Sequence, residues 1–258
     1  MNLITSRDNP QVKALRRLVQ DSTGYRKAGR FWLEGDHLCR AATERGVRPE
    51  QVVLTESFWA EQGARWADLG DQLIVMPDAL FASLSGLESP ARMGFVVAWP
   101  SGNTLLPDAS TVVLDRLQDA GNVGAILRCA SAFGYRQVLA IKGTAALWSP
   151  KVLRAGMGAH FGLHLVESVS EDDVSLLQVP VLTTSSHEGP FLHELLQRGQ
   201  LTARCAWVFG HEGQGVSAAL MALSRQKVRI AQPGGEESLN VATAAAICLH
   251  ASARILVS

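Results

Sequence analysis

The sequence lacks several features that would assign it at once to a class of protein. Its formal net charge is zero, with 24 Lys and Arg against 24 Asp and Glu, so no overall basic charge points to nucleic acid. The four cysteines form no CxxC pair, which argues against a zinc site or a disulfide framework. No apolar run approaches the length of a membrane span, and the N-terminus lacks an export signal. We therefore expect a cytoplasmic protein with no membrane and no metal partner.

The residue composition that is present predicts a globular protein with an uneven charge distribution. Hydrophobic residues make up 47% and charged residues 19% of 258 residues, which is typical of a chain with an apolar core. Residues 1–48 carry ten Lys and Arg against five acids, and the remainder carries fourteen against nineteen. This basic region favours a phosphate-binding face, although a solvated helix face explains it nearly as well. The candidate substrate contacts in this region are Arg7, Lys13, Arg26 and Arg30.

The first hundred residues alternate between helical and extended patterns. Residues 9–20 predict an amphipathic helix with Val12, Leu15, Leu18 and Val19 on its apolar side. Strands are predicted at residues 31–33, 51–55, 72–75 and 94–99, with a helix at 37–44 and further helices between the later strands. This alternation predicts a compact α/β domain over residues 1–100. Residues 101–110 are rich in Ser, Gly, Asn, Pro and Asp and predict a linker.

Beyond the linker, near-continuous apolar strands alternate with helices. Strands are predicted at residues 111–114, 137–141, 163–166, 179–183, 204–209 and 227–230. The clearest helices are predicted at residues 191–198 and 217–223, the second with Ser217 as its cap. Apolar strands of this kind predict a parallel sheet buried on both faces. We therefore predict a second domain over residues 111–258.

Three of these strands end in loops that combine glycine with polar residues. The first continues as DAGNVGAILR, in which Asn122 and Arg128 lie a little under two helical turns apart. The second strand is followed by GHEGQG, and the third by a glycine loop and a helix rich in small residues. Both Ser238 and Asn240 suit the N-terminus of that helix. Ligands of open parallel sheets bind where such carboxyl ends of strands meet.

In this order and spacing, the three stretches resemble the three motifs of the SpoU, or TrmH-type, RNA 2′-O-ribose methyltransferases. NVGAILR resembles the first motif, the strand with GHEGQG the second, and the glycine loop with SLNV the third. The resemblance is close over about the last hundred and fifty residues and looser over the N-terminal hundred. One departure is Ile230, Ala231 and Gln232, where the family usually has Ile-Pro-Met.

The resemblance implies a fold, a cofactor and a set of site residues. The implied fold is α/β, with an N-terminal ribosomal-protein-like RNA-binding domain and a C-terminal parallel-sheet domain that contains a trefoil knot. The implied cofactor is S-adenosyl-L-methionine. The cofactor-binding residues are then expected to be Gly210, Gly215, Ile230 and Leu239, with Thr184 as a weaker candidate. The catalytic residues are expected to be Arg128, Asn122, Glu212, Ser238 and Asn240.

Individual roles follow from the chemistry of these side chains. Arg128 occupies the family's catalytic position, where a permanently protonated guanidinium suits stabilisation of a developing alkoxide better than removal of a proton. Asn122 and Asn240 are expected to orient Arg128 or the ribose, and Ser238 to cap the helix, touch the substrate, or both. Glu212 is expected either to pair with Arg128 or to accept hydrogen bonds from backbone amides in a supporting role. A purely structural carboxylate is an equally good interpretation of Glu212.

The leading hypothesis is methyl transfer to a ribose 2′-hydroxyl of structured RNA. Ribosomal RNA is favoured over transfer RNA because the chain has a separate N-terminal domain. A nucleotide-binding oxidoreductase would need GxGxxG after its first strand, and this pattern is missing. A non-catalytic RNA-binding protein that retained the fold is a third hypothesis, and the intact motif residues count against it. The resemblance also implies a homodimer paired through the knotted domains.

Overall fold

The computed structural model describes residues 1–235 and 238–256, so Glu236 and Glu237 of the third motif and the last two residues of the predicted second domain lie outside the described residues. In chain order, the strands are β1 (Asn2–Leu3), β2 (Arg30–Glu34), β3 (Gln51–Thr55), β4 (Gln72–Met76), β5 (Met93–Ala98), β6 (Thr111–Asp115), β7 (Gln137–Ile141), β8 (His164–Val169), β9 (Val181–Thr184), β10 (Ala206–Gly210) and β11 (Gln226–Val228). The helices are α1 (Pro10–Gln20), α2 (Gly24–Ala28), α3 (Asp36–Glu44), α4 (Glu56–Gln62), α5 (Asp78–Ala82), α6 (Ala120–Ala132), α7 (Pro150–Gly156), α8 (Leu192–Gln197), α9 (Ala218–Leu223) and α10 (Val241–Ala253).

The first compact unit is built on a mixed five-stranded sheet of order β1-β4-β3-β5-β2. β4 pairs in parallel with β1 and β3, and β5 runs antiparallel to β2 and β3. Helix α1 begins where predicted because Asn9 caps it, its side chain accepting a hydrogen bond from the Gln11 amide at 2.8 Å. The predicted apolar face of α1 is buried in the core of this unit together with Trp32 and Phe81.

The second compact unit contains a six-stranded, fully parallel sheet of order β11-β9-β10-β6-β7-β8. From β6 the chain builds outward through β7 and β8, and then returns to the other side of β6, where β10 lies between β9 and β6. The strand order therefore reverses between β6 and β10, which is the position at which open α/β sheets bind ligands. Strands β6, β7 and β10 are buried along their whole length, as the apolar sequence pattern predicted.

Each unit is built from two separate segments of the chain. The first comprises Met1–Ser101 and Trp148–Phe161, and the second comprises Gly102–Leu147 and Gly162–Ser258. The predicted second domain, 111–258, includes Trp148–Phe161, whereas this segment packs in the first unit. Its Trp148 ring lies 4.7 Å from the Phe31 ring between centroids. Most of the predicted linker belongs to the second unit, where the Asn103 side chain donates to the Leu165 carbonyl at 3.0 Å.

Strand boundaries agree with the sequence pattern to within a few residues. β3 and β7 have the predicted ends, and Ser217 caps α9 as predicted. The last strand is shorter than the predicted 227–230, because it ends at Val228 and Arg229 instead forms an isolated bridge with Phe191. Ile230 therefore lies beyond the strand. Within residues 1–235 and 238–256, no helix combines the length and apolarity needed to cross a bilayer.

Candidate active site

The three predicted motifs meet at the carboxyl ends of β6, β10 and β11. β6 and β10 pair in register, with Gly210 opposite Asp115. The chain leaves β6 into α6, and it leaves β10 into residues 211–216, which contain Glu212. The third loop connects β11 to α10. The topology thus brings residues that are more than a hundred positions apart in sequence to one edge of the sheet.

Asn122 joins the three motifs through its carboxamide. Its Nδ2 donates to Oε1 of Glu212 at 3.3 Å, and its Oδ1 accepts a hydrogen bond from Nδ2 of Asn240 at 3.0 Å. The Oδ1 of Asn240 in turn accepts from the backbone amides of Ala242 and Thr243 at 2.9 and 3.2 Å, which caps α10. Three of the five predicted catalytic residues, Asn122, Glu212 and Asn240, therefore form a continuous hydrogen-bonded chain, hereafter the amide relay.

Helix caps hold both asparagines in place. α6 begins at Ala120 because Asp119 accepts a hydrogen bond from the Asn122 amide at 2.7 Å, which fixes Asn122 in the first turn. For α10, the expectation that Ser238 caps the helix is wrong. The helix begins one residue after Asn240, whose side-chain oxygen already occupies the free amides of its first turn, and Ser238 is exposed outside it.

Glu212 accepts hydrogen bonds from backbone amides, which was one of its two predicted roles. Besides Asn122, the carboxylate accepts from the amides of Gln118 and Asp119 at 3.5 and 3.4 Å. Burial would raise the pKa of Glu212, but these hydrogen bonds and one from its own amide outweigh it and hold the pKa below its ordinary value. Among the described residues Glu212 forms no ion pair with Arg128, and its oxygens accept instead from Asn122 and the amides of Gln118 and Asp119.

Arg128 lies on α6 with an exposed side chain. With the described residues its guanidinium forms neither a hydrogen bond nor an ion pair, and the two relay asparagines bond elsewhere instead of orienting it. A guanidinium without a protein partner retains its donors for a carboxylate or a phosphate group. Arg128 is therefore available to an anionic ligand.

The glycines expected to bind the cofactor are required by the loop's own backbone. A Cβ added at Gly210 would lie 2.1 Å from the carbonyl carbon of Gly215 and the nitrogen of Val216, so only glycine lets the loop fold back over the strand end. Gly215 has a φ of 69°, which favours glycine. Thr184 is also engaged within the protein, since its hydroxyl donates to the Val208 carbonyl at 3.3 Å.

The loop between β11 and α10 presents a different surface. Ile230 is partly buried, and the side chain of Leu239 is 36% exposed. The Oε1 atom of Gln232 is buried without a hydrogen-bond partner among the described residues. A Cβ added at Gly234 would meet no atom of the described residues within 4 Å. The loop thus combines apolar side chains, an unpaired acceptor and open space beside its backbone.

The structure adds a site residue that sequence reasoning missed. Asp115, the last residue of β6, is fully buried. Its Oδ2 accepts a hydrogen bond from the Ser217 amide at 2.6 Å, and its Oδ1 accepts one from Nε of Arg116 at 2.8 Å. The only sequence signal for it was a carboxylate at the end of the otherwise apolar run VVLD.

The predicted substrate-binding residues lie on the first unit and are all exposed. Lys13 pairs with Asp8 at 3.1 Å and Arg30 with Glu50 at 3.2 Å. Arg26 lies over the Tyr25 ring, 5.5 Å from its centroid. Exposed pairs of this kind are weak enough for a phosphate group to compete with the carboxylate.

Comparison with known proteins agrees with this geometry. Residues 109–250, more than half of the chain, match the SpoU rRNA Methylase family, and residues 9–94 match the MRM3-like substrate binding domain. The chain is 30% identical to the 23S rRNA (guanosine(2553)-2′-O)-methyltransferase RlmP of Bacillus subtilis, over 97% of this chain and 98% of that protein.

Solved structures of similar proteins share the fold. A crystal structure of an RNA 2′-O ribose methyltransferase matches with a TM-score of 0.79 at 29% identity, over 99% of this chain and 100% of that chain. An AdoMet-bound rRNA methyltransferase from Sinorhizobium meliloti matches with a TM-score of 0.84 at 24% identity, over 100% and 99% of the two chains. The predicted α/β fold class, with a trefoil-knotted parallel-sheet domain, is confirmed. By its motifs and by these matches, the chain belongs to the SpoU rRNA methylase family.

Proposed function

We propose that this protein transfers a methyl group from S-adenosyl-L-methionine to a ribose 2′-hydroxyl of ribosomal RNA. The observation that carries the proposal is the amide relay, in which Asn122, Glu212 and Asn240 connect all three family motifs at the reversal of strand order. A protein that only bound RNA would have no chemical need for this arrangement. The Bacillus subtilis relative, which matches over 97% of this chain, is a 23S rRNA 2′-O-methyltransferase.

The loop between β11 and α10 fits the cofactor. The Oε1 atom of Gln232, which has no hydrogen-bond partner among the described residues, can accept a hydrogen bond from the adenine amino group. Ile230 and Leu239 can form apolar contacts with the adenine rings. Open space beside Gly234 leaves its backbone accessible to the ligand. When bound, S-adenosylmethionine supplies an electrophilic methyl group on its sulfonium sulfur.

Arg128 serves the acceptor hydroxyl in this proposal. The 2′-oxygen forms a bond to the methyl carbon while the carbon–sulfur bond breaks in line, and the hydroxyl proton passes to solvent water. A guanidinium remains protonated at neutral pH, so Arg128 acts by binding the neighbouring phosphate and stabilising negative charge on the oxygen. The amide relay holds the first turn of α6, and the exposed Ser238, two residues before Asn240, is proposed as a substrate contact.

The test compares Arg128→Ala with Arg136→Ala. Arg136 is a matched control because it is also exposed, and its side chain forms no hydrogen bond or ion pair with the described residues. It differs in position, because it precedes β7 at the opposite end of the parallel strands. We expect both variants to bind S-adenosylmethionine like the wild type in calorimetric titrations. Only Arg128→Ala should lose methyl transfer to ribosomal RNA, by about 10²-fold or more. A wild-type protein that binds no S-adenosylmethionine even with RNA present would refute the proposal and favour a non-catalytic RNA-binding protein.

Ribosomal RNA is proposed over transfer RNA on the evidence of the first unit. Its residues match a substrate binding domain of an rRNA methyltransferase type, and Arg7, Lys13, Arg26 and Arg30 project from it into solvent. The direct test measures methyl transfer to purified ribosomal RNA and to purified transfer RNA in separate reactions, with both RNAs taken from cells that lack this gene. Exclusive methylation of transfer RNA would contradict the choice.

We also propose a cytoplasmic protein that forms a homodimer through α10. α10 is apolar on nearly all sides, yet Thr243, Ile247 and His250 line one exposed face, with Ile247 38% exposed. Light scattering at micromolar concentration should give a dimer, and Ile247→Asp should give a monomer. Leu176→Asp, which changes another exposed apolar residue of the same unit, is the control. A monomeric wild type would contradict the proposal.

A further inference from the structure

The loop that carries Glu212 reaches α6 and the residues before it through the Glu212 carboxylate, which accepts from Gln118, Asp119 and Asn122. Residues 211–216 are exposed or only partly buried. Within the loop, the Gly215 amide donates to the His211 carbonyl at 2.8 Å, and Nδ1 of His211 accepts from the amides of Gly213 and Gln214 at 3.1 and 3.3 Å. These bonds within the loop shape the turn, but they do not anchor it to the end of β6.

Two residues at the end of β6 supply that anchor. Asp115 accepts from the Ser217 amide at 2.6 Å, where the loop ends, and Arg116 donates from Nη1 to Oε1 of Gln214 at 3.2 Å, inside the loop. The two anchor residues also bond each other at 2.8 Å. The loop is therefore held at two points on either side of Gly215, both by residues of the neighbouring strand.

The backbone at Arg116 is strained in a way that serves this contact. Its φ is 58°, in the left-handed region that non-glycine residues rarely occupy. Such strain persists only where surrounding interactions compensate for it, and it concentrates at functional sites. An arginine in this position directs its guanidinium across the strand end toward both Asp115 and Gln214.

We infer that Asp115 and Arg116 are positioning residues for methyl transfer, which hold the Glu212 loop at the distance that the amide relay requires. The inference rests on the function proposed above. Neither residue is expected to touch the cofactor or the RNA. They act through Glu212, which reaches Asn122 only while the loop is held against the end of β6.

The first variants change Gln214, the exposed partner of Arg116, because a substitution at an exposed position should affect the stability of the fold least. Gln214→Ala removes the acceptor for Arg116 at an exposed position, whereas Gln214→Glu retains an acceptor and adds an ion pair. We expect Gln214→Ala to lower kcat severalfold with an unchanged Tm and an unchanged Kd for RNA, and Gln214→Glu to restore kcat to near the wild-type value. Rescue by the conservative variant separates positioning from a merely structural role.

Asp115→Asn tests the buried end of the contact, with Asp108→Asn as the matched control. Asp108 lies in the same unit, and among the described residues its carboxylate forms only an exposed, 4.0 Å pair with Arg204. We expect Asp115→Asn to reduce kcat by on the order of 10²-fold in the folded fraction, because a displacement of about 1 Å near the reacting groups has effects of that size. Asp108→Asn should retain wild-type kcat.

The outcomes distinguish this inference from the proposed function. If the wild type transfers no methyl group to ribosomal RNA, the proposed function fails first. If the wild type is active and Gln214→Ala retains its kcat, or Asp115→Asn loses activity only in proportion to its unfolded fraction, the positioning role is overturned. Loss of activity in Gln214→Ala without recovery in Gln214→Glu would overturn it as well.

Discussion

Replacing Asn240 by aspartate separates the two tasks of this side chain. Asn240 caps α10 with Oδ1 and donates to Asn122 with Nδ2 at 3.0 Å. Aspartate is as good a cap as asparagine, and its charge at a helix N-terminus stabilises by about 0.3–1 kcal/mol. The lost hydrogen bond to Asn122 costs about 1 kcal/mol. The free energy of unfolding of Asn240→Asp should therefore stay within about 1 kcal/mol of the wild type.

Asn240→Asp should break the amide relay in either orientation of the Asn122 carboxamide. With Asn122 as it stands, its Oδ1 would face a second acceptor on the new carboxylate. If its carboxamide turned over, Oδ1 would instead face the Glu212 carboxylate, which now accepts from Nδ2 at 3.3 Å. One acceptor therefore always faces another. We expect methyl transfer to fall at least about fivefold, the equivalent of one hydrogen bond of about 1 kcal/mol.

Asn240→Ala provides the comparison, because it removes both the cap and the relay bond. Each loss is worth about 1 kcal/mol, so its free energy of unfolding should fall by about 2 kcal/mol. Urea denaturation and single-turnover methyl transfer to ribosomal RNA, measured on both variants, give the two quantities. The reasoning is refuted if Asn240→Asp transfers methyl groups at the wild-type rate, or if it is as unstable as Asn240→Ala.

Other predictions concern the loop and the core of the second unit. Gly210→Ala should lower the free energy of unfolding by at least about 2 kcal/mol in urea, because its Cβ would meet backbone that cannot move aside, whereas Gly234→Ala should leave it unchanged. The low native pKa of Glu212 stabilises the folded protein above the unfolded pKa of about 4.3, and this contribution is lost as pH falls through the native pKa. The difference in stability between the wild type and Glu212→Gln should therefore shrink as the pH falls below the unfolded pKa of about 4.3. Ser252→Ala leaves the buried indole N–H of Trp207, which donates to Ser252 at 2.9 Å, without an acceptor, and should cost about 1–3 kcal/mol, part of which Trp207→Phe should recover.

Elements with a strong local pattern could be predicted from the sequence. β3 and β7 have their predicted ends because apolar, largely β-branched or aliphatic runs are bounded on both sides by polar or turn residues. The two-residue strand β1 was not predicted, since two residues contain no periodicity. The return of Trp148–Phe161 to the first unit was not predicted either, because it depends on side chains such as Phe31 that are far away in sequence.

At the site, the sequence indicated which residues meet but not how they bond. Family motifs placed Asn122, Glu212 and Asn240 together, yet the pairing of Glu212 with Arg128 remained an open alternative that the described contacts do not contain. Asp115 was not predicted as a site residue. Its role depends on its burial and on the hydrogen bond that it accepts from the Ser217 amide, which is a hundred and two positions away. Neither burial nor a distant amide partner leaves a periodic pattern in sequence.

The direction of the amide relay explains why it uses these residue types. An ionised Glu212 can only accept hydrogen bonds, and its lowered pKa keeps it ionised. Asn122 must therefore present its Nδ2 to Glu212 and its Oδ1 to Asn240. Asn240 must then donate with Nδ2, which leaves its Oδ1 for the amides at the start of α10. A carboxylate in place of either asparagine could not donate, and a hydroxyl could not span both partners. The charge of one side chain after β10 thus sets the direction of the hydrogen bonds through two carboxamides, the second of which caps α10.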